Sequence, residues 1–211
     1  MQKIYKRVDP DFISILSLLA FGLVAYSNSF TAPFHYDDFL HILRNEALVD
    51  LSDLSRIFHY CEGRFLTYLT LAINYRISKF DPISYHIFNF FIHYFAAIFL
   101  YFLFLEVWKT PAMQGSELKI SKQAGAFLAA GIFFLHPLQT ESVTYVIQRA
   151  ESMAGMFYFA TLLFYLKARR AETRYALFGH SLLAAIAALC AAFSNETAVT
   201  LPVMIVVFEI F

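Results

Sequence analysis

The chain has 211 residues, of which 59% are apolar and only 15% are charged. A soluble domain of this size cannot bury so much apolar surface, and 25 phenylalanines with 13 tyrosines exclude a disordered or collagen-like chain. Lys plus Arg and Asp plus Glu number 16 each, so the basic excess of a nucleic-acid-binding protein is missing and no nucleic-acid partner is expected. Cys61 and Cys190 are too few for a disulfide framework.

Six apolar runs without Asp, Glu, Lys or Arg predict membrane helices, each of which needs about 20 mostly apolar residues. They cover residues 12–30, 83–105, 123–140, 152–166, 175–195 and 197–208. Pro137 predicts that the third helix ends there. Because the chain ends within the sixth run, we expect residues 1–211 to be the amino-terminal part of a larger membrane domain. The predicted fold class is therefore an all-α polytopic membrane bundle of about six helices, the last one truncated.

The segment 31–82, between the first two runs, predicts amphipathic helices that lie in the membrane interface. Its apolar run 65–75 has about 11 residues, which is too short to cross a bilayer. In 51–60, four apolar residues share one helical face and Asp53 and Arg56 lie opposite. We therefore expect interfacial helices in this segment.

Basic residues predict the orientation, because Lys and Arg concentrate in short cytoplasmic loops. Three clusters fall on one side if every run crosses: Lys3, Lys6 and Arg7; Lys109, Lys119 and Lys122; and Lys167, Arg169, Arg170 and Arg174. We therefore expect a cytoplasmic amino terminus. The segments 31–82, 136–148 and 194–196 then lie on the opposite side, which we call the outer face.

The first polar motif on the outer face is His35-Tyr36-Asp37-Asp38, directly after the first run. Polar residues at a membrane are costly and therefore need a reason, and adjacent carboxylates also repel each other. A general base or a divalent-metal ligand is one explanation. A solvated pair that caps the following helix is the other. The spacing leaves both open.

The second motif is a stripe of His86, Asn89 and His93 on the second run, where the three positions lie within about 60° of one another on a helix. A polar stripe in a bilayer must face protein or a water-filled cavity, so we expect these side chains to point into the bundle. Interhelical hydrogen bonding without chemistry explains the stripe equally well. A zinc site is not favoured, because the Cys or Glu ligands of metal motifs are missing.

Two further polar groups follow on the outer face. Around and after Pro137, a loop carries His136, Glu141 and then Arg149, whose planar fork suits a phosphate. An Arg149–Glu ion pair that closes the loop is the alternative. Glu196 lies in the turn Ser194-Asn195-Glu196-Thr197, whose match to an N-glycosylation acceptor we discount because the turn lies against the membrane. These groups together suggest a site for an amphipathic substrate such as a lipid-linked phosphate, but they define no reaction.

The order of the motifs resembles the amino-terminal membrane half of the transmembrane and tetratricopeptide-repeat-containing proteins, O-mannosyltransferase-like members of the GT-C glycosyltransferase superfamily. The matching pieces are HYDD at 35–38, GRFLTYLT at 63–70, DPISYHIFN at 81–89 with His93, HPLQTESV at 136–143, RAE at 149–151 and SNETAVTLP at 194–202. Single pieces are not specific, so their order along nearly the whole chain carries the resemblance.

The resemblance implies an enzyme that transfers a mannose-like sugar, with inversion, from a polyprenyl-phosphate donor to a Ser or Thr hydroxyl or another acceptor. It implies Asp38 as the general base with Asp37 as its helper, and Arg64 and Arg149 as ligands of the donor phosphate. The supporting residues are His86, Asn89, His93, His136, Glu141 and Glu196. No cofactor is certain, and a divalent metal ion is a candidate. The expected partners are the lipid-linked sugar, an acceptor protein or glycan, and membrane lipid.

The chain also departs from the family. Asn195 stands where a Lys is usual, Phe65 stands where a Pro is usual, and the sequence has no 34-residue repeat period, hence no repeat domain. A non-catalytic membrane scaffold or degenerate paralogue is therefore the alternative function; a transporter would need internal symmetry that is missing. We expect a multi-pass protein of a bacterial inner membrane, with the endoplasmic reticulum membrane as the alternative.

Overall fold

The structure is a computed structural model that describes residues 9–113 and 119–210. The α-helices in these ranges are α1 (Pro10–Ala25), α2 (Leu54–Tyr60), α3 (Phe65–Ser78), α4 (Pro82–Val107), α5 (Lys122–Leu135), α6 (Glu141–Thr144), α7 (Arg149–Arg169), α8 (Arg174–Ala192) and α9 (Leu201–Ile210). Short 3₁₀ turns join several of them, and a π-helical turn covers Phe39–Leu43. The described residues contain no strand, so the predicted all-α class is confirmed.

Capping side chains determine where several helices begin. Asp9, Asp81, Ser121 and Thr173 each accept a hydrogen bond from a backbone N–H in the first turn of α1, α4, α5 and α8. A proline in the first turn of α1 and α4 fits the same pattern, because its missing N–H would have no partner there. At its other end α5 stops just before Pro137, as the sequence predicted.

Two helices are long and apolar enough to cross a membrane: α4 with 26 residues and α8 with 19. The apolar helices α1 and α5 have only 16 and 14 residues. At 1.5 Å per residue they reach about 24 and 21 Å, less than the roughly 30 Å of a hydrocarbon core. Helix α7 has 21 residues but carries charged residues near both ends. The predicted number of about six membrane helices is therefore not confirmed.

Helix α4 lies at the centre of the bundle. It packs against α1 and α5 on one side and against α7 on the other, and α8 packs along α7. The core between α1, α4 and α5 is rich in aromatic residues, among them Tyr26, Phe90, Tyr94 and Phe134. Gly22 of α1 allows the close approach of α5, because a Cβ atom at this position would lie 2.2 Å from the Phe134 ring. The bundle thus depends on a small residue facing a large one.

The segment 31–82 packs onto one end of the bundle and forms a core with one residue of α4 and two residues that precede α7. The buried members are Phe34, Ile42, Leu48, Ile57, Tyr68, Leu71 and Ala72 of the segment, Tyr85 of α4, and Val146 and Ile147. Helix α2 begins at Leu54, later than its apolar pattern suggested, because Asp53 caps it by accepting the Arg56 N–H at 2.9 Å. Helix α3 covers the predicted run 65–75 and continues to Ser78. The position of both helices in a membrane interface stays a prediction.

The basic clusters can be located only in part. Lys3, Lys6 and Arg7 lie outside the described residues. Glu106, at the carboxyl end of α4, pairs with Lys109 at 2.7 Å and with Arg170 at 2.5 Å. The second and third clusters therefore meet at one end of the bundle, as the orientation prediction requires.

Candidate functional site

The two adjacent aspartates have opposite environments. Asp38 is fully buried, and its Oδ2 and Oδ1 atoms accept the backbone N–H groups of His35 at 3.0 Å and Ile147 at 2.8 Å. Asp37 is exposed, and its backbone N–H donates to the Tyr145 hydroxyl at 3.1 Å. Asp38 thus joins the segment 31–82 to the residues before α7, whereas the carboxylate of Asp37 is exposed and lies beside the Tyr145 hydroxyl.

This arrangement argues against Asp38 as the general base and Asp37 as its helper. Burial raises the pKa of Asp38, although the N–H groups of His35, Ile147 and Val146 lower it. A raised pKa suits a base, but a base must also reach the proton that it removes. Both oxygens of Asp38 are occupied by backbone donors and none of its surface is exposed. Of the two, only Asp37 can reach a substrate hydroxyl without a rearrangement.

Two tyrosines frame Asp37. Tyr36 is 85% exposed and has a φ angle of 43°, a left-handed conformation that is rare for an aromatic residue. Its ring lies edge-on to that of Tyr145, with 6.3 Å between the ring centroids. Strained backbone of this kind often occurs at functional sites. No local pattern pointed to Tyr145, because its contact with Asp37 joins residues that lie 108 positions apart.

The polar stripe of α4 is buried, as its spacing predicted: the exposed fractions of His86, Asn89 and His93 are 0%, 0% and 1%. The His86 ring lies within hydrogen-bonding distance of the carbonyl oxygens of Ala32, at 2.8 Å, and Val143, at 3.0 Å. These contacts are hydrogen bonds between segments, which is the structural explanation of the stripe that the sequence allowed beside a catalytic one.

His93 contacts the end of α5. Its Nε2 atom lies 3.1 Å from the Phe134 carbonyl oxygen, which also accepts the Tyr26 hydroxyl at 2.8 Å. Side chains of α1 and α4 therefore meet at one carbonyl in the last turn of α5.

Arg149, the first residue of α7, is fully buried. Its Nε donates to Asn89 Oδ1 at 2.7 Å, its Nη1 donates to Asn74 Oδ1 at 2.6 Å and Thr70 Oγ1 at 3.3 Å, and its Nη2 donates to the Tyr85 carbonyl at 3.2 Å. Within the described ranges, no carboxylate lies at ion-pair distance, so the Arg149–Glu pair is not observed. The burial also argues against direct contact between Arg149 and a donor phosphate, because a phosphate would have to displace these neutral partners.

Arg64 and Glu196 lie together at the surface. The Arg64 Nε atom donates to Glu196 Oε1 at 3.2 Å and Oε2 at 3.0 Å, and Nη2 donates to Oε2 at 2.9 Å. These bonds hold the pKa of Glu196 below its usual range. The two side chains are 36% and 63% exposed, so the pair can open to another anion at small cost. Arg64 and Arg149 share no hydrogen-bond partner in the described part of the chain, so a joint phosphate site is not observed.

The turn that carries Glu196 is fixed to its surroundings. The Thr67 hydroxyl of α3 donates to the Ser194 carbonyl at 2.9 Å, and Thr197 Oγ1 donates to Glu151 Oε2 at 3.2 Å. Asn195, which is 3% exposed, caps the turn by accepting the Thr197 N–H at 3.0 Å. The amide of Asn195 is therefore not accessible as a glycosylation acceptor.

His136 and Glu141 are both exposed. The Nδ1 atom of His136 accepts the Leu138 N–H at 3.2 Å, which caps the turn after α5. Among the residues that the structure describes, neither side chain forms a hydrogen bond or ion pair with Asp37 or Arg64. Their supporting role stays a prediction.

The donor set at the acidic pair does not favour joint metal binding. Both oxygens of Asp38 accept backbone N–H groups, so the two carboxylates do not present one chelating face. No group of three or more His, Cys, Asp or Glu side chains suited to a metal ion occurs in residues 9–113 and 119–210. Metal binding therefore stays a prediction, and the described residues do not form a site for it.

No family model matches the chain, and no solved structure does. The chain is 28% identical to protein O-mannosyl-transferase TMTC3 of Mus musculus over 98% of its length, and 30% identical to protein O-mannosyl-transferase tmtc2 of Xenopus laevis over 91%. It is 27% identical to protein O-mannosyl-transferase TMTC4 of Homo sapiens over 78%.

The chain spans only 22%, 23% and 24% of the length of these three relatives. All three come from animals, so they give no support to a bacterial inner membrane. The similarity nevertheless covers most of the chain and agrees with the ordered motifs. The chain is therefore a relative of the transmembrane and tetratricopeptide-repeat-containing protein O-mannosyl-transferases, the family that its motifs predicted.

Proposed function

We propose that this chain forms part of a membrane glycosyltransferase that moves a mannose-like sugar from a polyprenyl-phosphate donor to a Ser or Thr hydroxyl, with inversion at the anomeric carbon. The observation that carries the proposal is the exposed Asp37, held beside Tyr145 on a segment that the buried Asp38 anchors. The activity for which the relatives are named supports a transferase over the non-catalytic scaffold.

In this mechanism Asp37 is the base. The acceptor hydroxyl oxygen attacks the anomeric carbon while its proton passes to the Asp37 carboxylate. The bond between the sugar and the phosphate breaks on the opposite face, and its electron pair leaves with the lipid phosphate. A positioned general base typically contributes about 10²–10⁴-fold in rate. Asp38, whose oxygens are occupied, positions the turn rather than taking the proton.

Arg64 is the remaining candidate for the donor phosphate. Its guanidinium is partly exposed and already binds the Glu196 carboxylate in a forked geometry that also suits a phosphate. If the donor phosphate replaced Glu196 as the partner of Arg64, the Arg64 guanidinium would lie where negative charge grows as the lipid phosphate leaves. Between turnovers, Glu196 then binds Arg64 and keeps its guanidinium in position.

We also propose that the domain is a GT-C-like membrane bundle in which α1, α4, α5, α7, α8 and α9 are the membrane helices. The apolar composition of α1, α4, α5 and α8 supports this assignment. The partners are the polyprenyl-phosphate sugar, an acceptor protein or glycan, and membrane lipid. We place the protein in the endoplasmic reticulum membrane, the localisation that is compatible with the relatives.

The test is sugar transfer by the natural protein in detergent, from labelled polyprenyl-phosphate mannose to a Ser- and Thr-containing peptide. Asp37→Asn should lower turnover about 10²–10⁴-fold and leave the melting temperature unchanged, since the side chain is exposed. Asp50→Asn, a change of another exposed aspartate in the same segment, is the control and should keep its activity.

Near-normal turnover of the Asp37→Asn variant would show that Asp37 is not the general base. If the natural protein binds the lipid-linked sugar but transfers no sugar from it, the protein is a non-catalytic scaffold and not an enzyme.

A further inference from the structure

A chain of hydrogen bonds joins Arg149 to the acidic pair. The Arg149 Nε atom donates to Asn89 Oδ1 at 2.7 Å, and Asn89 Nδ2 donates to the Val146 carbonyl at 3.2 Å. The N–H of Ile147 donates to Asp38 Oδ1 at 2.8 Å. Every residue in the chain is buried, so water does not compete for these bonds.

The Val146 carbonyl and the Ile147 N–H belong to the same peptide group. In a trans peptide these two groups point in opposite directions, and the structure has no cis peptide bond in its described residues. The oxygen of this peptide faces Asn89 and, behind it, the guanidinium of Arg149, while its N–H faces the carboxylate of Asp38. The peptide dipole is therefore aligned between a buried cation and a buried carboxylate, where both charges favour this orientation.

Within residues 9–113 and 119–210, neither charge has a direct counter-ion. Arg149 is held by amide, hydroxyl and carbonyl oxygens, and Asp38 is held by backbone N–H groups. An isolated buried charge is costly, and oriented dipoles lower that cost. The same short segment also supports Asp37, because the Tyr145 hydroxyl accepts the Asp37 N–H at 3.1 Å. Tyr145 thus holds the backbone of Asp37, and Ile147 holds the side chain of Asp38.

We propose that Arg149 is a positioning residue that does not bind the donor phosphate. Through Asn89 and the 146–147 peptide, Arg149 holds Asp38 in place. Asp38 in turn holds the turn that presents Asp37. The inference rests on the proposed function, because it gives Arg149 a role in orienting the base. A residue that binds the donor affects the KM for the donor, whereas a residue that orients the base affects kcat.

Two matched substitutions separate the two roles. Asn89→Asp and Asn74→Asp each place a carboxylate against the Arg149 guanidinium, because both asparagines accept from it through Oδ1, at 2.7 and 2.6 Å. Only Asn89 also donates to the Val146 carbonyl; the amide of Asn74 donates instead toward Ser84. Asn89→Asp therefore breaks the link, and Asn74→Asp leaves it in place with the same change of charge.

We expect Asn89→Asp to lower kcat roughly 10- to 100-fold with a donor KM within about threefold of the natural value, because a base displaced by about 1 Å can lose that much rate. Asn74→Asp should lower kcat less than about threefold. If both variants instead raise the donor KM to a similar extent, Arg149 acts on the phosphate through its charge and the inference is overturned. Equal losses of kcat in the two variants would overturn it as well.

Hydrogen–deuterium exchange of the natural protein and both variants tests the link without any assay of transfer. Asn89→Asp should increase exchange at the Ile147 amide and in residues 35–38, and Asn74→Asp should not. Equal protection of these residues in both variants would refute the link. If the natural protein transfers no sugar while the exchange pattern appears as expected, the proposed function fails and the structural link stands.

Discussion

The packing of α1 against α5 predicts that Gly22→Ala destabilises the protein. The new Cβ would lie 2.2 and 2.5 Å from two atoms of the Phe134 ring and 3.2 Å from the Phe90 ring. An ordinary contact begins at 3.4 Å, so the Phe134 ring would have to retreat by about 1.2 Å. The ring cannot retreat freely, because it is fully buried and packs against the rings of Tyr26, Phe90, His93 and Tyr94.

The expected magnitude is the difference between two effects. Overpacking of a filled core costs about 1–3 kcal/mol, and replacing a helical glycine by alanine gains about 0.5–1 kcal/mol. Gly22→Ala should therefore lower the free energy of unfolding by about 1 kcal/mol, within a range of roughly 0–2.5 kcal/mol. For a chain of this length a loss of about 1 kcal/mol corresponds to a fall of about 2–4 °C in melting temperature.

Thermal unfolding in detergent, followed by circular dichroism, measures the effect. Gly179→Ala on α8 is the matched control, because nothing lies within 4 Å of its new Cβ; its melting temperature should stay the same or rise slightly. Shortening the opposing ring with Phe134→Leu should recover part of the loss in the Gly22→Ala background. Equal melting temperatures for Gly22→Ala and Gly179→Ala would refute the packing of α1 on α5 described above.

Three further predictions concern titration, modification and orientation. Burial raises the pKa of Asp38, so the contribution of Asp38 to stability is complete below its unfolded pKa of 3.8 and is lost as the pH rises through the raised pKa. In Asp38→Asn, the plot of melting temperature against pH should be flatter over this pH range. An unchanged slope would contradict the burial of Asp38. Buried Asn195 should carry no N-linked glycan after expression in eukaryotic cells, and a mobility shift on endoglycosidase treatment would show that its turn opens. In a cysteine-free background an impermeant maleimide should label Ser52→Cys from the outer side and Thr173→Cys only from the cytoplasm, and the reverse pattern would invert the predicted orientation.

Local patterns in the sequence predicted the features that depend on neighbouring residues. The spacing of His86, Asn89 and His93 was enough to predict that the stripe faces protein, because helical period and the cost of polar groups in lipid act within one helix. The end of α5 followed from the missing N–H of Pro137. The length of α1 did not follow, because its apolar run continues to residue 30, past the end of the helix at Ala25.

The candidate site was less accessible to sequence reasoning. Asp37 and Asp38 are adjacent and chemically identical, and only the contact of Asp38 with Ile147, 109 positions away, separates a buried anchor from an exposed carboxylate. The pair of Arg64 and Glu196 joins residues 132 positions apart, so no local pattern could indicate it. Arg149 has the residue type that suits a phosphate, but its neutral partners come from α3 and α4 and were not visible in its own segment.

The carbonyl of Phe134 that receives both Tyr26 and His93 has a consequence for how the family's sequences can vary in length. Adding or removing one residue within α5 would turn this carbonyl by about 100° and shift it by about 1.5 Å along the helix axis. Both hydrogen bonds to neighbouring helices would then be lost together. Gaps between related sequences should therefore avoid the stretch that ends at His136-Pro137 and collect instead in exposed connections, such as the one between α7 and α8.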